Sequence, residues 1–140
     1  MEWVSYHDKK RYGITLPLPS NLETLLAQRY RVKVGNEWRI VRRKKIGIGM
    51  APGGYVEVYL RNVNVTPDIL LARGIAPEIT DDAYPYDYPL AHEYKESWEA
   101  FDKEFGEAYR QYPIPTGMAW APIMDGYRAA QPKTDTEPVN

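Results

Sequence analysis

The chain has 140 residues, with 18 Lys+Arg, 19 Asp+Glu, a net charge of −1 and no cysteine. The missing cysteines exclude disulfides, thiolate metal ligands and a thiol nucleophile, and no apolar run approaches the roughly 18 residues of a membrane-spanning helix. A hydrophobic share of 44% and a charged share of 26% are those of an ordinary globular protein, long enough for one domain with its own core.

The small net charge hides a polarity. Residues 1–75 hold 13 Lys+Arg and 6 Asp+Glu, for +7, whereas residues 76–140 hold 5 and 13, for −8. Such a split predicts a basic face for an acidic partner, or two halves that neutralise each other. The N-terminal Met-Glu-Trp-Val-Ser-Tyr-His-Asp lacks the basic start and apolar core of a secretory signal, so a cytoplasmic protein is expected. Five Asn and three Gln against abundant charges and 12 Pro match the composition of thermophile proteins.

In chain order, Trp3, Val4 and Tyr6, then Tyr12, Ile14 and Leu16, predict short strands at 2–6 and 12–16 with Asp8–Arg11 as the turn. Pro17 and Pro19 stop the ladder. Ser20 and Glu23 have capping-box spacing, and Leu22, Leu25 and Leu26 share a stripe, which predicts a helix over 21–29. Val32 and Val34, then Trp38 and Ile40, alternate with charged residues about Gly35-Asn36. This is the pattern of a β-hairpin with a two-residue type II′ turn. The four apolar residues are expected on one face, with Arg31, Lys33, Glu37 and Arg39 on the other.

The basic run Arg42-Arg43-Lys44-Lys45 follows directly, then a glycine-rich stretch to Gly54 that reads as a flexible connection. Tyr55–Val65 predicts a long strand with a bulge near Arg61-Asn62. Thr66, Pro67 and Asp68 have the N-cap, N1 and first-turn chemistry of a helix, which Gly74 would close. Residues 76–91, acidic and rich in Tyr and Pro, read as a long loop. Tyr94, Trp98, Phe101, Phe105 and Ala108 form the stripe of a helix over 91–110. Residues 112–124 are Pro-punctuated, and from Gln131 the tail lacks apolar periodicity and is expected to fray. The fold class is therefore α+β: one domain over 1–130, with a small, mostly antiparallel sheet and about three helices.

No catalytic motif emerges. Three serines and two histidines form no recognisable nucleophile elbow. His92 and Glu96 have helical metal-ligand spacing, but only Asp81, Asp82 or Asp87 offer a third ligand, and solvated surface carboxylates explain them as well. The glycines of 47–54 lack the Gly-Lys-Ser/Thr ending of a phosphate loop. Carboxylate pairs such as Asp81/Asp82 or Glu99/Glu107 occur by chance in so acidic a segment. No cofactor, metal or enzymatic activity is expected.

Binding is better supported. Twelve Tyr and four Trp, with many Arg, are the residues that interfaces concentrate. The candidate partner-binding residues are Trp38, Arg39, Arg42, Arg43, Lys44 and Lys45 on the basic hairpin, joined by Arg31 and Lys33, and Tyr84, Tyr86 and Tyr88 in the Pro-stiffened loop. The basic edge suits an acidic protein surface, or nucleic acid with Trp38 or Tyr55 stacking on a base; charge that guards an edge strand against aggregation is the structural alternative.

Two resemblances bear on this. The strand Tyr55–Val65, the run Ile69-Leu70-Leu71-Ala72-Arg73-Gly74-Ile75 and Trp98-Glu99-Ala100-Phe101-Asp102 resemble the second half of ASCH domains, PUA-like barrels, which implies a nucleic-acid-binding module. In size, lack of cysteine and composition the chain is similar to small inhibitors of bacterial RNA polymerase from thermophilic phages. That resemblance implies a non-enzymatic protein that docks on the polymerase in the host cytoplasm and redirects transcription, and it transfers no residues.

Overall fold

Most of the chain's Val and Ile fall in the first 75 positions. In a computed structural model of the chain, which describes residues 1–83 and 89–140, that stretch is mostly strand. The architecture is α+β, with eight strands in three small antiparallel sheets and four α-helices among the described residues. By contacts the chain divides into two compact units, 1–15 with 50–55 and 75–120, and 16–49 with 56–74 and 121–140.

In the first unit β1 (Glu2–Ser5) pairs antiparallel with β2 (Lys10–Gly13), setting Trp3 opposite Tyr12 and Val4 opposite Arg11. The connecting turn is two residues earlier than the charge run suggested. It is closed by bonds from the Lys9 and Asp8 amides to the Ser5 carbonyl and hydroxyl. The segment 77–79 lies along β2: Gly13 donates to the Pro77 carbonyl and Ile79 to the Arg11 carbonyl.

The single helix expected over 91–110 is broken at Tyr94 into α2 (Leu90–Glu93) and α3 (Lys95–Gln111). Its stripe runs through Tyr94, Trp98, Phe101, Phe105 and Tyr109, with exposed Ala108 off it. Trp98 is the buried anchor, and Tyr6 meets Phe101 edge-on.

In the second unit α1 (Leu22–Ala27) begins at Asn21, not Ser20, and makes no side-chain cap bond. The capping box therefore does not form; the Leu22 amide is satisfied by the Pro19 carbonyl instead. β3 (Arg29–Val34) lies between β4 (Glu37–Arg42) and β8 (Pro138–Val139). The second sheet has the order β5 (Lys45–Ala51), β6 (Tyr55–Asn62), β7 (Val65–Ile75). Val56, Val58, Leu60 and Val65 are its buried core.

Three sequence expectations fail in this sheet. The glycine-rich stretch is strand β5. Its alternate glycines admit a large neighbour, since a Cβ on Gly47 would lie 2.4 Å from the Tyr59 ring. The bulge at Arg61-Asn62 is instead the end of β6, where the Asn62 side chain accepts from the Asn64 amide at the turn into β7. The helix expected from Thr66 is the long strand β7, including the Ile69–Ile75 run that the ASCH-like reading takes as helical.

The chemistry that signalled a cap serves the C-terminal segment instead. The Thr66 amide donates to Thr134 Oγ1 and its hydroxyl to the Pro132 carbonyl, while the Asp68 amide donates to Gln131 Oε1. That segment, expected to fray, is hydrogen-bonded along its length and ends in β8, with the Arg31 amide donating to the Glu137 carbonyl. Helix α4 (Trp120–Ala129) occupies part of the Pro-punctuated region.

Candidate binding surface on the β3–β4 hairpin

The hairpin turns through Gly35-Asn36, with φ of +62° at Gly35 and no positive φ at Asn36. That is the type II′ pattern, which places glycine first. A two-residue turn sets the register: Val34 faces Glu37, Val32 faces Arg39, Lys33 faces Trp38 and Arg31 faces Ile40. Residues directly opposite share a face. Even positions of β3 thus share a face with odd positions of β4.

This overturns the expectation that Val32, Val34, Trp38 and Ile40 lie together. The inward face carries Val32, only 3% exposed, with Tyr30, Val34 and Val41 half-buried. The outward face carries Arg29, Arg31 and Lys33 from β3 and Trp38, Ile40 and Arg42 from β4, every one exposed. Trp38 is 51% and Ile40 56% exposed. The Arg31 guanidinium stands 3.9 Å from the Trp38 ring centre, a cation–π contact that holds the indole in place. Glu137, the residue before β8, reaches Arg31 at 3.1 Å. Arg39 points to the other side and pairs with Glu37.

The basic run that follows is split. Arg42, Lys44 and Lys45 are exposed, but Arg43 is 1% exposed. Its guanidinium donates to the Pro67 carbonyl at 2.6 and 3.2 Å and to Asp135 Oδ2 at 2.8 Å, and lies 5.2 Å from the Tyr30 ring. Arg43 is thus a structural cation, not part of a surface cluster. Tyr84, Tyr86 and Tyr88 lie outside the described residues. Sequence reasoning passed over Arg29 and separated Arg31 and Lys33 from Trp38. Pairing residues symmetrically about Gly35-Asn36 would have found the true grouping.

The edges of the hairpin are also fixed by register. In a two-residue hairpin the turn-closing pair exchanges both backbone bonds, and every second pair after it does the same. Glu37, Arg39 and Val41 therefore point their backbone groups toward β3, while Trp38, Ile40 and Arg42 point theirs outward. Two contacts agree with that phase: Asn62 Nδ2 donates to the Arg42 carbonyl, and the Arg31 amide donates to the Glu137 carbonyl just before β8. Beside the lower end of β4 is a depression of about 290 Å3 lined by Arg29, Ile40, Val41, Arg42, Lys44 and Asn62.

Other polar clusters are turned inward. Buried Glu57 meets Arg128 at 2.8 Å and Arg73 at 3.7 Å, and Asp125 binds both arginines. Hydrogen bonds from Arg73 and Arg128 draw the Asp125 carboxyl down to about 2. In the first unit Asp8 accepts from the Gly53 amide at 2.7 Å and the Tyr12 hydroxyl at 2.8 Å, with His7 Nδ1 3.1 Å from its other oxygen. Burial pushes the Asp8 carboxyl up, but bonds from Gly53, His7 and Tyr12 outweigh it and leave it below the usual carboxylate value. Burial and the Asp8 carboxylate push the Tyr12 phenol far up. This cluster ties the β1–β2 turn to the Pro52–Gly54 turn. Among the described residues no group of three or more His, Asp or Glu is placed to share a metal ion, and His92 and Glu96 fall on either side of the break at Tyr94. Among the same residues no helix is long and apolar enough to cross a membrane.

The fold and its open face define a small α+β protein that presents a cationic, tryptophan-bearing sheet surface. Residues 1–117 match DUF2931, a protein family of unknown function, and the chain belongs to it. The matched span includes the whole hairpin but stops before α4 and β8. No curated protein and no solved structure matches the chain.

Proposed function

We propose that this chain acts by binding, without catalysis, and that its working surface is the outward face of β3 and β4. The observation that carries this reading is the placement of Arg29, Arg31, Lys33, Trp38, Ile40 and Arg42 on one exposed side. A sheet face needed only for stability would turn its tryptophan and isoleucine inward and its cations outward. Here the opposite strand positions Val32 and Val41 serve the interior, and the large apolar side chains stand among the cations in water. Exposed Trp and Arg in one patch are the anchors from which interfaces are built.

The partner chemistry is an acidic surface on another protein. Bacterial RNA polymerase, to which the compositional resemblance points, is the first large assembly to try, and a polymerase-bound regulator would act by occupying a site or by holding a mobile element. The test is capture by purified polymerase, and from nuclease-treated bacterial lysate, with the wild-type chain and with Arg29→Glu/Lys33→Glu. The wild type retains a stoichiometric protein that the variant loses, both being equally folded by circular dichroism. Equal retention by the two chains, or none by either, overturns the proposal.

A second reading rests on the Arg31–Trp38 stack. An indole held in place among cations is also a platform for an unpaired base. It predicts single-stranded nucleic acid affinity that falls steeply with salt and is lost on Trp38→Ala. No binding at low salt would remove it.

A further inference from the structure

We infer that the free edge of β4 accepts an extended acidic peptide as an added strand. This inference rests on the binding role proposed for the hairpin and names the form of the partner. In the order β4-β3-β8, β4 is an edge strand, and its outward backbone groups are those of Trp38, Ile40 and Arg42. Asn62 occupies the Arg42 carbonyl. Among the described residues nothing bonds the amides and carbonyls of Trp38 and Ile40. Along that edge donors and acceptors alternate. A peptide backbone is the complement of such an edge, whereas a phosphate backbone offers acceptors alone.

The charges choose among peptides. An added strand would run beside Trp38, Ile40 and Arg42 on one face and the Glu37–Arg39 pair on the other, with Arg29, Arg31 and Lys33 one strand further in on the first. Acidic side chains on the added strand meet these cations, and an apolar side chain can enter the depression lined by Ile40, Val41 and Asn62. A second copy of this chain is the poorer occupant. Pairing β4 with itself would bring two sets of the same cations onto one sheet, and like charges in neighbouring strands repel.

The probe is the acetylated, amidated peptide Glu-Val-Glu-Val-Glu-Val-Glu, with Lys in place of Glu as the control. It should bind at low salt, at least tenfold more tightly than the Lys peptide, and quench or shift Trp38 fluorescence. Amide exchange at Trp38 and Ile40 should slow at least tenfold on binding, with no change at Val32, which already faces β4 within the sheet. Ile40→Pro should weaken binding at least tenfold: it deletes an outward amide and leaves the β3 ladder intact. Should that variant fail to fold, the exchange measurement on the wild type decides alone.

Failure of the peptide to bind, binding without protection at Trp38 and Ile40, or dimerisation of the free chain through β4 in sizing chromatography would overturn the inference. The underlying reading fails separately. If Arg29→Glu/Lys33→Glu abolishes capture of a protein partner while that partner leaves the Trp38 and Ile40 amides unprotected, the binding face stands and strand addition falls. If charge reversal leaves capture unchanged, the binding face falls.

Discussion

Arg43→Met removes a buried guanidinium while keeping most of the aliphatic stem. Three hydrogen bonds go with it, two to the Pro67 carbonyl and one to Asp135. Asp135 is left 18% exposed, and its second oxygen is already buried without a hydrogen-bond partner among the described residues. Breaking a buried ion pair from one side costs roughly 3–5 kcal/mol. The water that still reaches Asp135 places this case near the lower end, at about 3 kcal/mol. With a urea dependence of about 2 kcal/mol/M for a chain of this size, the unfolding midpoint should fall by roughly 1.5 M. Arg42→Met, one residue earlier but exposed, should change stability by no more than about 0.5 kcal/mol. Because an apolar pair often replaces a buried ion pair at little cost, Arg43→Met with Asp135→Leu should recover much of the loss. The assay is equilibrium urea unfolding followed by tryptophan fluorescence and circular dichroism. Equal midpoints for Arg43→Met and Arg42→Met would refute the assignment of Arg43 to the interior.

The acid limb of stability should depend on Asp8 and Asp125. Both carboxyls lie below their ordinary value in the folded chain, Asp125 at about 2. Their contribution is therefore present above the unfolded value near 4 and is lost as pH falls through the folded one. Asp8→Asn and Asp125→Asn should each flatten the decline in unfolding midpoint between about pH 4 and pH 2; an unchanged decline in both would refute the network assignments. Glycine positions should differ sharply. Gly53 has φ +81°, and a Cβ there would lie 2.3 Å from the Gly117 amide nitrogen, whereas Gly35, at φ +62°, faces open space. Gly35→Ala should cost about 1 kcal/mol for its backbone conformation alone. Gly53→Ala should cost clearly more, because main chain must move; equal losses in thermal unfolding would refute the close approach.

Local chemistry was legible where it acts locally. The Gly35-Asn36 turn, the hairpin strands and the aromatic stripe from Tyr94 follow from short-range pattern. The facing of Trp38 and Ile40 was legible too, but only through the register that the turn imposes, because alternation within each strand says nothing about which positions match across the pair. What could not be read is long-range. Arg43 owes its burial to Asp135, 92 residues away, and no spacing in the basic run announces that pairing. Thr66, Pro67 and Asp68 carry genuine helix-start chemistry, yet Thr66 and Asp68 bond to residues 131–134 and the Pro67 carbonyl accepts from Arg43, so tertiary partners override the local signal. The glycines of β5 suggested looseness because the ring that fills the space above Gly47 belongs to Tyr59 on the neighbouring strand.

The division within the basic run bears directly on function. Charge reversal across Arg42, Arg43, Lys44 and Lys45 would mix an effect on binding with one on folding, because Arg43 is buried. An acid at position 43 would place a second carboxylate beside Asp135 and the Pro67 carbonyl, and any loss of binding would then report unfolding. The residues that can be reversed cleanly are those whose side chains end in water: Arg42, and Arg29 and Lys33, whose side chains make no ion pair or hydrogen bond among the described residues. Arg31 is less clean, since it holds Trp38 and pairs with Glu137. The proposed binding surface and the scaffold that folds are thus interleaved residue by residue along one strand and its exit. A partner that adds to the edge of β4 would read only the outward set, which is why backbone protection at Trp38 and Ile40, rather than loss of charge, is the measurement that tells a docking surface from a stabilising one.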